Sequence, residues 1–285
     1  WKLRKKQWLA LGIDSGNGRE EGLLGGLEAL TKLKNANSKS RGTELRDCEK
    51  GTSLFDPVLT ELILRWFSPK GGKVYDPFAG GSVRGAVAGI LGRDYTGVDI
   101  REEQVLENRK NWKRIQAKRK GRSSGVVKWE RANSETYSHK GTVDLVMSCP
   151  PYGDLEVYSS DPEDISTMSL EAFDESYLKI IRAATSALKN DRFAVFVVSE
   201  YRTKGGGYAG LVPKTIKAFE EAGLTFYNEG ILIQEAGAVA MRAARPFKAS
   251  RKLARTHQNI LVFVKGDAKK AAKACGPVDA EMPEG

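Results

Sequence analysis

Cysteine and histidine are scarce in this chain, with three of one and two of the other among 285 residues. Cys48, Cys149 and Cys275 are too widely spaced for a disulfide framework or a zinc cluster, and two histidines add no metal site. A reducing cytoplasm is the expected home. No apolar run nears the ~20 residues that a membrane span needs, and no stretch reads as a signal peptide. The chain opens on Trp1 rather than methionine, so further upstream sequence is expected. There is no internal repeat. Positive charge, by contrast, is plentiful: the formal net charge is +10 and the pI is near 9.4. That balance suits a polyanionic partner, nucleic acid first, although a merely solvated basic surface has the same count.

Apolar residues at 40% and charged residues at 29% describe an ordinary soluble protein with enough material for one large core. Residues 1–50 are read as a basic N-terminal extension. Within it Trp1 to Ile13 suggests a short helix with Trp8, Leu9, Leu11 and Ile13 as core contacts. Glu20 to Leu33 suggests a second helix weakened by Gly22, Gly25 and Gly26. Asn35 to Lys50 reads as an exposed linker. Order begins near Gly51. Asp56-Pro57 starts a helix carrying Leu59, Leu62, Ile63, Trp66 and Phe67 at helical spacing.

From there strands and helices alternate. Strands are expected at 73–78, 94–99, 126–130, 143–148, 192–199, 225–233 and 259–265, with helices at 84–91, 101–119, 170–188 and 211–222. This pattern predicts an α/β fold, a Rossmann-like, doubly wound, mostly parallel sheet of seven strands with helices on both faces. No helix is expected before the last strand, which should insert antiparallel. The catalytic domain is placed at 51–266. A basic loop at 235–257 interrupts it, and a disordered tail at 267–285 follows.

Two stretches carry chemistry. Val74 to Ser82 reads as a strand, a tight glycine turn and a helix N-terminus, the arrangement in which a ligand meets backbone. Asp94 to Asp99 is a second strand ending in an acid, the position that holds a ribose in Rossmann-like units. Further on, Ser148-Cys149-Pro150-Pro151-Tyr152 follows the fourth strand. Parallel sheets bind ligands beyond their carboxyl ends where strand order reverses, so the two turns should face each other.

Asp-Pro-Phe-Ala-Gly-Gly at 76–81 together with Cys-Pro-Pro-Tyr at 149–152 resembles the S-adenosylmethionine-dependent DNA amino-methyltransferases, which methylate adenine N6 or cytosine N4. The resemblance runs from about Gly51 to Gly266 and includes Thr52 to Pro57. Asp154 to Ser159 and Thr256 to Asn259 are similar to phage-borne and prophage members. It implies the class I methyltransferase fold, S-adenosylmethionine as cofactor, DNA as partner and a role guarding DNA against restriction in a bacterial or phage-infected cell. It places Thr52, Phe55, Pro57, Asp76, Phe78, Ala79, Gly80, Gly81, Asp99 and Asn133 around the cofactor, with Asp76 pairing the methionine ammonium and Asp99 accepting ribose hydroxyls. Core packing is the plain alternative for Phe55 and Phe78, and an ordinary turn for Asn133. Cys149, Pro150, Pro151 and Tyr152 become the catalytic turn, with no metal.

An exocyclic amine is a poor nucleophile because its lone pair is delocalised into the ring. Hydrogen bonds to the Pro150 carbonyl and to a first-position acceptor would draw it toward sp³ geometry, and two prolines fix that carbonyl. Tyr152 would stack on a base swung out of the duplex. Cys149 departs from the family's Asp, Asn or Ser. As a near-isostere of Ser it tilts the reading toward cytosine N4, yet it is a weak hydrogen-bond partner. A nucleophilic cysteine is disfavoured because it precedes the prolines and no activating partner is visible. Activity in a Cys149→Ser variant would reject covalent catalysis. Asp154 and Glu156 sit in an acidic loop that either closes over the site or is solvated. His257 is read as structural.

Arg242, Arg245, Lys248, Arg251, Lys252 and Arg255 form an acid-free cluster suited to following DNA phosphates. The charges of the basic helix at 101–119 are read as solvated. No long recognition insertion is evident, so short or relaxed sequence specificity is expected. An RNA methyltransferase with the same turn and an inactive DNA-binding module are the alternatives, and the retained Asp76, Asp99, Pro150, Pro151 and Tyr152 argue against decay.

Overall fold

The structure is a computed structural model that describes residues 1–13, 55–122, 124–152, 161–203, 205–234 and 239–278, excepting the side chains of 239–242. The expected second helix and linker of the N-terminal extension, Thr52, Asp154, Glu156, the Arg242 side chain and the last seven residues lie outside them.

Seven strands form one sheet: β1 (Lys73–Asp76), β2 (Asp94–Asp99), β3 (Val127–Arg131), β4 (Val143–Ser148), β5 (Leu188–Val198), β6 (Thr225–Ile233) and β7 (His257–Lys265). Their order is β3-β2-β1-β4-β5-β7-β6. β1 to β5 pair in parallel, whereas β7 runs antiparallel between β5 and β6. Both the seven strands and the antiparallel last one agree with the sequence reading. All six residues of β4 are buried, as befits a central parallel strand covered on both faces.

Alternate side chains feed two cores. Leu145 and Met147 join Val74, Val195, Val262 and Val264 on one face, while Val146 joins Tyr75, Phe196, Leu261 and Phe263 on the other. The first face is covered by α1 (Lys2–Ala10), α2 (Pro57–Phe67), α3 (Val83–Ile90) and α4 (Glu102–Lys118), with a C-terminal helix described below. The second face is covered by α5 (Leu170–Ser186) and α6 (Leu211–Glu221).

Local signals explain the helix starts. Asp56 caps α2 by accepting Val58 N–H at 2.8 Å and Leu59 N–H at 3.3 Å, with Pro57 in the first turn. Ser169 caps α5. Gly210 has no side chain to cap α6, so Glu200 at the end of β5 does so, its carboxylate accepting from the amides of Gly210, Leu211 and Val212. In α3 every residue is buried. It lies so close to the sheet that a Cβ on Gly85 would sit 2.4 Å from the Trp129 ring.

Four expectations need correction. Trp66 is 48% exposed and Leu62 only half-buried, because Val58, Leu59, Ile63 and Leu64 present the buried face of α2. The basic stretch at 235–257 is not all loop: a helix, α7 (Val239–Ser250), is followed by loop to Thr256. The tail is not wholly disordered either. Asp267 caps α8 (Ala268–Cys275) by accepting Lys270 N–H, and Ala271 and Cys275 are buried against the first face. Finally, Leu9, expected as a core contact of the N-terminal helix, is 44% exposed, while Trp8 and Ile13 are buried as expected. Trp8 is fully buried, and its indole N–H donates to Glu61 of α2 at 2.6 Å.

Candidate active site

The reversal of strand order falls between β1 and β4, which are paired neighbours through Val74–Leu145 and Tyr75–Val146. The glycine loop after β1 and the diproline turn after β4 therefore leave the sheet side by side. Both open on one cavity of about 830 Å³, within the size range of small-molecule sites. Phe55, Phe78, Gly80, Gly81, Asp99, Asn133 and the whole run from Cys149 to Tyr152 line it.

Asp76 is not on that lining. It is fully buried, and its carboxylate is consumed inside the protein. Oδ1 accepts from Ser148 Oγ at 2.5 Å and Phe78 N–H at 3.2 Å; Oδ2 accepts from Arg84 Nε at 2.5 Å and the Tyr95 hydroxyl at 2.8 Å. Arg84 then donates to the carbonyls of Phe78 at 2.6 Å and Ala79 at 3.0 Å, and its guanidinium carbon lies 4.7 Å from the Phe55 ring centroid. Burial pulls the Arg84 pKa down, but Asp76, Tyr95 and Cys149 more than offset it, so the group is held firmly cationic. Asp76 thereby has a structural duty: it ties the ends of β1 and β4 and the start of β2 to the loop. Ala79 is likewise buried and Pro57 sits at the start of α2, neither on the lining.

The loop is held from outside as well. Gly80 has φ +48°, in the left-handed region that glycine adopts without penalty, and a Cβ there would meet nothing within 4 Å. Asn108 Nδ2 donates to the Gly80 carbonyl at 2.7 Å and is itself held through Gln104 to Arg101. Ser134 Oγ donates to the Pro77 carbonyl at 2.5 Å. Arg84, Asn108, Ser134 and Asp164 escaped the sequence reading: Arg84 stands in the helix that the motif opens but bears no local sign of its pairing, and the other three come from later elements.

Asp99 does face the cavity, its side chain 11% exposed. Burial raises its carboxyl above the ordinary aspartate value, only partly countered by Arg101 and the amides of Arg101 and Gly80. A carboxylate short of solvent beside a nucleoside-sized space is chemically suited to paired hydroxyls. Asp164 also lines the cavity, 6% exposed, and caps the short 3₁₀ helix Ile165–Thr167. Asn133 fills both readings: it lines the cavity, and its Oδ1 accepts Glu135 N–H at 2.9 Å in a local turn.

At the diproline turn the Tyr152 hydroxyl lies 3.8 Å from Cys149 Sγ and accepts from Gln258 Nε2 at 2.8 Å. His257 opens β7, as the structural reading expected.

The cationic residues do not all stand ready. Arg245 and Lys248 are exposed on α7, and Arg251 stacks over Phe247 at 5.2 Å. Lys252 lies close to Gly206. Arg255 is engaged internally, donating to the His257 carbonyl at 3.2 Å and to Asn259 Oδ1. On α4, Lys113, Arg114 and Lys118 are exposed and Lys110 pairs with Glu107, whereas Arg109 donates to the Trp129 carbonyl and Arg119 just beyond is buried. Among the described residues no cluster suits a metal ion and no helix is long and apolar enough to cross a membrane.

No family model and no curated protein matches this chain. Solved structures do. Magnesium protoporphyrin IX methyltransferase from Synechocystis PCC 6803 with bound SAH is 10% identical over 84% of this chain and 94% of its own, with a TM-score of 0.48. TrmN from Thermus thermophilus is 17% identical over 93% and 78%, also at 0.48. A methyltransferase from Pyrococcus furiosus is 14% identical over 94% and 100%, at 0.46. With the strand order β3-β2-β1-β4-β5-β7-β6 and its antiparallel β7, the chain has the class I methyltransferase fold.

Proposed function

We propose that this protein transfers a methyl group from S-adenosylmethionine to the exocyclic amino group of a DNA base, cytosine N4 ahead of adenine N6, with short or relaxed sequence specificity. One observation carries the reading: the glycine loop, the Asp99 carboxylate and the Cys149–Tyr152 turn line a single cavity. When bound, the cofactor supplies an electrophilic methyl group.

The chain's own residues do the rest by positioning, which can contribute ~7–11 kcal/mol of barrier lowering. Asp99 accepts ribose hydroxyls, and Gly80 and Gly81 let backbone approach the ligand. Phe55, held beneath the Arg84 guanidinium, walls the cavity. The Pro150 carbonyl accepts from the target amine, and Tyr152 offers its ring to the base. The exposed cations Arg245, Lys248 and Arg251, with the half-buried Lys252, suit phosphates, with guarding DNA against restriction as the biological role.

The test is transfer of labelled methyl to duplex DNA, single-stranded DNA and tRNA, followed by mass spectrometry of the nucleosides. N4-methylcytosine or N6-methyladenine from DNA is expected. Label appearing in tRNA alone would reassign the substrate to RNA, and cofactor binding without transfer to any of the three would mark an inactive module. Mapping that returned one strict site of six or more base pairs would contradict the specificity.

A further inference from the structure

The phenol of Tyr152 is gripped from a distant strand. Gln258 of β7, 106 residues downstream, donates its side-chain amide to the Tyr152 hydroxyl at 2.8 Å. The same hydroxyl is 3.8 Å from Cys149 Sγ. The hydroxyl and the thiol are within reach of a weak hydrogen bond in which either can be the donor. The sequence amide, phenol, sulfur thus links β7 to the last and first residues of the diproline turn.

Gln258 is well placed for such a hold. It sits inside β7, opposite Leu232 of β6, and its neighbour Asn259 pairs with Val198 of β5. Arg255 braces the strand on either side, bonding the His257 carbonyl and the Asn259 side chain. Gln258 itself lines the cavity. A functional side chain supported by a rigid strand is held more closely than one left to its own loop.

We propose that Gln258 is a positioning residue for the methyl transfer proposed above, on which this inference rests. It fixes the Tyr152 ring as the surface against which the target base lies and, through that ring, steadies Cys149. The need follows from the residue at 149. An aspartate or serine there would hold a target amine by a strong hydrogen bond, and a thiol does not. More of the alignment then falls to the ring, whose stacking is worth ~1–3 kcal/mol per base only where the ring already stands in place.

The experiment compares the full chain with Gln258→Leu, Gln258→Glu, Tyr152→Phe and the Leu/Phe double variant. Two readouts are taken: steady-state transfer to DNA, and the ¹³Cζ resonance of Tyr152 in tyrosine-labelled protein, assigned by its loss in Tyr152→Phe. Gln258→Leu is expected to lower kcat about 10- to 100-fold, the scale of a small misplacement, with KM for the cofactor unchanged. Tyr152→Phe should match it, and the double variant should fall no further, because both remove one hydrogen bond. Gln258→Glu, which keeps the length and accepts from the phenol, should recover most of kcat. The Tyr152 resonance should move in Gln258→Leu.

Losses that multiply in the double variant, a kcat that Gln258→Leu leaves intact, or an unmoved resonance each overturn the proposal. A merely architectural glutamine would instead lower Tm and raise the cofactor KM, with no rescue by glutamate. If the unmodified protein methylates nothing, the methyltransferase reading fails on its own, and the resonance still decides whether Gln258 holds the ring.

Discussion

Replacing Asp76 with asparagine distinguishes two duties for the same residue. If Asp76 met a ligand ammonium, Asp76→Asn would weaken cofactor binding and leave the fold intact. The structure puts the carboxylate instead in a fully buried pair with Arg84, whose side chain is 6% exposed, and on the Tyr95 and Ser148 hydroxyls. Removing one partner of a buried pair leaves an uncompensated charge and costs about 3–5 kcal/mol. The hydroxyls share the same network, so their losses do not simply add. At roughly 2–4 °C per kcal/mol for a domain of this size, Tm should fall by roughly 6–20 °C. Asp99→Asn supplies the contrast. Folding raises the Asp99 carboxyl through burial, so its ionised form costs stability at neutral pH, and asparagine should keep or raise Tm while weakening cofactor binding. Calorimetry on the two variants, paired with cofactor titration, reads both quantities. A Tm within about 2 °C of the parent for Asp76→Asn, alongside lost affinity, would refute the structural role.

Three further outcomes are expected. Burial pushes Glu61 up, but Arg4, Trp8 and Arg65 outweigh it and hold its pKa below the ordinary value of 4.5. A depressed carboxyl stabilises above that ordinary value, and the contribution is lost as pH falls through the folded pKa, so urea midpoints should drop below about pH 4.5 and Glu61→Gln should flatten that slope. Gly85→Ala would drive a Cβ to 2.4 Å from Trp129 and 2.8 Å from Tyr95, and overpacking of this kind costs ~1–3 kcal/mol, readable by denaturant unfolding. Lys248→Ala should reduce the slope of log K against log salt for duplex DNA by about 0.9, whereas Arg255→Ala, already engaged by protein acceptors, should change it less; equal slopes in titrations by anisotropy would deny that ranking.

The alternation from Lys73 to Ile233 was most legible where a strand is a continuous apolar run and where a helix opens on a capping residue. β4 and the pair Asp56-Pro57 show both signals. The cavity's motif residues were equally legible, since glycine, proline and a strand-ending acid have local signatures. The partners of Asp76 were not legible, because its motif position says nothing of Arg84, Tyr95 and Ser148, which reach it from other elements. The last helix was missed because Ala-Lys repetition reads as a solvated tail, although Asp267 in front of it is a capping signal and Ala271 and Cys275 are four residues apart on one face. Gln258 lay inside the Thr256 to Asn259 stretch of the resemblance, but nothing local names Tyr152 as its partner, which is fixed only when β7 inserts beside β5.

The two outermost helices have a practical meaning for anyone cutting this gene. α1 and α8 both seat on the face that α2 covers, one through the Trp8–Glu61 bond and the other through Ala271 and Cys275. A fragment trimmed to residues 51–266 would strip α2 of both flanks and bare apolar surface on either side of it. Such a fragment should aggregate, whereas one ending after Cys275 and retaining the first thirteen residues keeps that face clad.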